Sequence, residues 1–153
     1  MSFTEDVTYY RAALLLGVHT PEEVSEWAEA AFAAEDAPPR VLMDAVMAPR
    51  ELTALRTALA PAALEPEPPT VVLRLLARVA ADVDDGRRSV DDTVHVFAQM
   101  RRMIALPADV ARVLAELESA YQLAIAGVEG DVAVVRERIA TWLVTCTDPA
   151  RAT

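Results

Sequence analysis

Of the side chains able to do chemistry, His95 stands in the most suggestive company. It lies one helical turn beyond Asp91 and Asp92, so an imidazole and a carboxylate would share a helix face. That pair begins a metal site without completing one. A carboxylate-bridged di-iron bundle requires two Glu-x-x-His pairs on different helices, and the chain holds none. Zinc needs three or four His, Cys or carboxylate ligands, against two histidines and one cysteine here. A calcium loop ending at Gly86 would want acids at positions 81, 83 and 85, and only Asp85 is one. No Gly-x-Ser-x-Gly elbow and no glycine-rich phosphate loop occur. His95 is therefore expected at the surface or its boundary, and His19, just before Thr20, has no visible partner. The residues predict no catalytic group, no metal and no cofactor.

Glu22-Glu23-x-x-Glu26 is the sharpest motif in the chain. Acids in the first turn of a helix are favoured by its dipole, which accounts for Glu22 and Glu23 without any ligand. The motif also resembles the EExxE element of the all-α nucleotide pyrophosphohydrolases. That resemblance implies a metal-dependent hydrolase in which Glu22, Glu23 and Glu26 hold Mg²⁺ against a triphosphate. Such enzymes supply Glu-x-x-Asp from a second helix, and this chain has no Glu followed three residues later by Asp. Asp82-x-x-Asp85 is the nearest substitute, at a helix end. The hydrolase is the alternative reading.

The charge pattern favours a different function. The net charge is −10, and every positive charge is an arginine. Binding nucleic acid requires a basic stripe that releases counterions, so nucleic acid is not expected; a basic protein partner is. From Thr20 to Asp36 the chain carries six acids and no arginine. Glu22, Glu26 and Glu29 recur at i, i+4 and i+7, opposite Trp27 and Ala31. A second acidic group, Asp82, Asp84 and Asp85 with Asp91 and Asp92, surrounds Gly86 and is partly offset by Arg87 and Arg88. The candidate partner-binding residues are Glu22, Glu26, Glu29, Asp82, Asp84 and Asp85.

These residues must be positioned by helices, because no window alternates with period two. The spacing predicts helices over about 5–16, 21–34, 41–47, 51–59, 71–84, 89–104, 107–126 and 131–146. Thr20-Pro21-Glu22-Glu23 supplies a capping box with proline at the first helical position, and Gly17 and Gly86 serve as stops. Apolar stripes run through Val72, Leu73, Leu76 and Val79, through Val94 and Phe97, through Val110, Val113, Leu114, Leu117 and Tyr121, and through Val135, Ile139, Trp142, Leu143 and Cys146. Residues 61–69 hold four prolines in nine and predict a stiff, extended spacer between two helical halves. The expected fold is all-α, a compact bundle of about eight short helices with antiparallel neighbours and no sheet. It forms one domain, residues 1–153, whose halves share a core.

At 153 residues no apolar run approaches the roughly 20 that span a bilayer. Residues 1–6 lack a signal-peptide pattern, and a lone Cys146 suits a reducing compartment. No membrane contact and a cytoplasmic location are expected. Gly17-Val18-His19-Thr20-Pro21-Glu22-Glu23-Val24 with Trp27-Ala28, Pro38-Pro39 before a short helix, and Tyr121 followed by Gly127-Val128-Glu129-Gly130-Asp131 together resemble a group of small all-helical bacterial proteins of unassigned function. In size and acidity these are similar to the immunity proteins that neutralise secreted bacterial toxins. The resemblance implies a non-enzymatic protein-binding domain that docks a basic partner through an acidic helix face. It implies no particular oligomeric state.

Overall fold

The computed structural model describes residues 2–148. Among them the backbone forms eight α-helices and no strand: α1 Phe3–Leu16, α2 Pro21–Ala33, α3 Arg40–Met47, α4 Leu52–Leu59, α5 Pro69–Asp84, α6 Val90–Met103, α7 Ala108–Ile125 and α8 Val132–Cys146. The all-α expectation holds, and no described helix is long and apolar enough to cross a membrane. The chain divides into two compact units, Met1–Pro68 and Pro69–Thr153, with the boundary at the end of the proline-rich segment.

In the first unit, α1 begins two residues earlier than its periodicity suggests. Ser2 supplies the cap: its hydroxyl accepts the Glu5 N–H while the Glu5 carboxylate accepts the Ser2 N–H. Gly17 ends the helix at φ 69°, a left-handed conformation that glycine adopts without steric cost. Thr20 caps α2 by accepting the Glu23 N–H at 3.2 Å. The core joins Val7 and Leu14 of α1, Val24 and Ala28 of α2, Leu42 and Ala45 of α3, and Leu55 and Leu59 of α4. Alanines at two of these positions let helices approach closely, and each buried leucine would cost about 2–5 kcal/mol to truncate. After a single 3₁₀ turn (60–62) the proline-rich segment is tied back rather than free. The Leu64 N–H donates to Thr8 Oγ1 at 2.8 Å, and Arg11 reaches Glu65 at 3.4 Å.

In the second unit α5 packs on α8 and α6, α6 on α7, and α7 on α8. The buried stripe of α5 is Val71, Val72, Leu75, Leu76 and Val79, continued one turn later by Asp82. Leu73, expected within it, is 40% exposed. Its place one residue off the stripe turns it outward. Phe97 and Met100 of α6, Leu114 and Leu117 of α7 and Ile139 and Leu143 of α8 are fully enclosed. Val110, Val113, Tyr121, Trp142 and Cys146, also expected on stripes, are only half-buried. Each flanks its stripe at the edge of a helix contact, and Trp142 meets Phe97 edge-on at 5.9 Å between ring centroids.

Candidate functional site

The helical register of α2 decides which of its acids can meet a partner. Val24, Ser25 and Ala28 are buried, and Trp27 stacks on Tyr10 of α1 with ring centroids 4.1 Å apart. At 3.6 residues per turn this leaves Glu22, Glu26 and Glu29 on the opposite flank, and all three are exposed. They share a face as expected, but their surroundings differ. Glu29 accepts from Arg50 at 3.1 Å, an arginine delivered from the connection after α3. Glu22 and Glu26 make no ion pair among the described residues. The unit's other arginines are placed elsewhere: Arg11 at Glu65, Arg40 at Asp44 on the same helix, and Arg56 half-buried beside Arg11. Burial and the neighbouring Arg11 hold the Arg56 pKa below its usual value.

Glu23 belongs to a different arrangement. Its carboxylate lies 2.6 Å from His19 Nδ1 and also accepts from Thr20 Oγ1 at 3.3 Å, while His19 Nε2 lies 2.9 Å from the Tyr9 hydroxyl. A carboxylate can only accept, so Nδ1 carries the proton toward Glu23, and in the neutral ring Nε2 accepts from Tyr9. His19, expected to lack a partner, therefore has two and is 8% exposed. Its spacing of four to Glu23 was readable in the chain. Tyr9 enters only because α1 folds back on α2. The chain of hydrogen bonds fastens these two helices and draws Glu23 away from Glu22 and Glu26. Among the described residues no group of three or more His, Cys, Asp or Glu could hold a metal ion.

The second acidic group does not stand together as a docking surface. Asp82, named above as a partner-binding residue, is 4% exposed. Arg78 approaches its carboxylate at 3.0 Å, and Arg87 and Arg88 at 3.9 Å. Its main-chain carbonyl also accepts the N–H groups of Arg87 and Arg88, closing the turn that Gly86 makes possible at φ 74°. Asp82 is thus an internal counter-ion, because the stripe of α5 carries it inward. Asp85 is exposed but paired with Arg87 at 2.6 Å. Asp84 is exposed at the end of α5 and makes no ion pair among the described residues.

Farther along, Asp91 accepts from the Tyr121 hydroxyl at 2.5 Å and from both ends of the Arg136 guanidinium at 3.1 and 3.0 Å. The Tyr121 hydrogen bond, then that of Arg136, hold the Asp91 carboxyl below its usual range, and the same bond raises the Tyr121 phenol. Both partners come from helices distant in sequence, so neither was visible beside Asp91. Asp91 and Tyr121 line a cleft of about 380 Å³ together with Asp92, exposed His95 and Glu118. Residues of α7 and α8 line grooves of about 630 and 560 Å³ that share Glu116 and Arg138, and Trp142 lines the second. Cys146 lies nearby with its thiol pKa pushed up by burial to about 11, which leaves it protonated and unreactive at neutral pH. Comparison of the chain with protein-family models, curated proteins and solved structures finds no match.

Proposed function

We propose that this chain is a non-enzymatic protein-binding domain whose first unit docks a basic partner through α2, in the manner of immunity proteins that neutralise toxins. One observation carries the reading: Glu22 and Glu26 are exposed and unpaired in a unit whose arginines are all engaged or positioned elsewhere. The unit, residues 1–68, holds twelve acids against four arginines, a net −8. Uncompensated acids on a rigid, capped helix project a field that steers a cationic surface and accelerates its encounter. A free thiol is at home in the cytoplasm, where such a partner would be met.

Association kinetics test the proposal directly. Basic proteins captured on the immobilised chain from the cells that make it serve as the binding partners. Glu22→Gln combined with Glu26→Gln should slow their association and flatten its dependence on salt, with little change in dissociation. Asp84 is an exposed acid of the second unit, so Asp84→Asn serves as the control and should leave the salt slope in place. Equal association rates and equal salt slopes for the parent and the double variant would sink the reading.

A further inference from the structure

Helix α3 presents apolar side chains on both of its sides. Leu42 and Ala45 enter the core, while Met43 and Met47, four residues apart, are 49% and 80% exposed, and Leu52 at the start of α4 is 42% exposed. Trp27 and Glu23 of α2 face α1 through Tyr10 and His19, while Glu22, Glu26 and Glu29 are exposed. Helix α3 packs on α2, and Arg50, three residues past Met47, bonds Glu29.

Acids alone would accept any cationic surface; exposed methionines add a requirement for apolar groups. Methionine is unbranched and polarizable, so it adapts to varied apolar partners. Two such side chains one helical turn apart, on a helix packed against the one that carries the unpaired Glu22 and Glu26, complement a helix that is apolar along one stripe and basic beside it. We propose that the surface formed by α2 and α3 takes a cationic amphipathic helix of the partner protein. Its apolar stripe seats on Met43, Met47 and Leu52, and its Lys or Arg side chains meet Glu22 and Glu26. The proposal rests on the docking reading above and names the kind of partner that reading would admit.

The full chain with carbon-13 methionine methyl groups supplies its own controls. Met100 is fully buried, and Met103, in the second unit, is 44% exposed. Three synthetic probes are compared at physiological ionic strength: an amphipathic Leu/Lys helix, the same residues scrambled, and a Leu/Glu helix. The Leu/Lys helix should shift the Met43 and Met47 signals saturably and leave Met100 and Met103 in place. It should bind about tenfold more tightly than the scrambled peptide, because only the helix buries the methionine side chains together. Met43→Ser with Met47→Ser should bring the two basic peptides to the same affinity, and Glu22→Gln with Glu26→Gln should weaken both. Equal binding of the helical and scrambled peptides would overturn the amphipathic-helix proposal while leaving basic docking intact. Binding of the basic peptides without a shift at Met43 or Met47 would overturn the amphipathic-helix proposal alone, and no saturable binding of either basic peptide would overturn both. Equal movement of Met103, or binding of the Leu/Glu helix, would overturn the proposal as general adsorption.

Discussion

The two units carry the same number of acids but set different numbers of arginines against them. Residues 1–68 set twelve acids against four arginines, and residues 69–153 set twelve against ten, for net charges of −8 and −2. In the second unit acids are tied to arginines within the fold: Asp82 to Arg78, Arg87 and Arg88, Asp91 to Arg136, and Glu118 to Arg101 at 2.7 Å. In the first, Glu22 and Glu26 face water alone. Equal acid content therefore leaves Glu22 and Glu26 without an ion pair in one unit and fastens Asp82, Asp91 and Glu118 in the other. The difference lies in where the arginines are, which a count of acids does not reveal.

The largest expected effect tests the fastening. Asp82→Ala would leave three guanidinium groups around a buried gap, and urea unfolding should register a loss of about 3–5 kcal/mol, as for breaking a buried ion pair. A loss no larger than that of an exposed acid would erase the distinction between the units. Trp142→Ala should cost about 1–2 kcal/mol, well below the 3–5 typical of an enclosed aromatic, because its ring is only half-buried against Phe97. A full-sized loss would mean the groove beside it is closed in solution.

Next comes pH. Asp91 has a lowered pKa in the fold, so its stabilising effect is complete above the unfolded carboxyl value of about 3.9 and fades as the pH falls below it. Tyr121 has a raised pKa, so its share is present below about 10 and is lost as the pH climbs through the raised value. Alkaline titration followed by phenolate absorbance should show a late-ionising component from Tyr121, which Asp91→Asn should move to lower pH. Unaltered titration after that substitution would separate Tyr121 from the Asp91 network. The smallest effect belongs to the proposed docking face: Glu22→Gln with Glu26→Gln should change stability by less than about 0.5 kcal/mol, since exposed unpaired charges contribute little. A large loss in the same urea measurement would place these acids inside the fold's own bonding and end the contrast.

Part of this arrangement is legible in the chain alone. Ser, Thr and Asp caps, glycine stops and period-3.6 stripes act within one turn of chain, so the helices and the α2 acidic face can be read locally. Thr20 caps α2 and Gly17 ends α1 where their types require. The stripe of α5 is misplaced by one position in such a reading, which leaves Leu73 outward and Asp82 inward, because a run as apolar as Val71–Leu76 does not mark its buried side.

Local spacing along the chain sets the helices, their ends and the presence of two acidic groups, since each depends on neighbours a few residues apart. Which acids remain available follows instead from how the helices pack. Arg50 reaches Glu29 across 21 residues, Arg136 reaches Asp91 across 45, and Tyr9 meets His19 across 10. Such pairings depend on how helices cross, and helix crossing follows from side-chain packing over whole faces rather than from any local spacing.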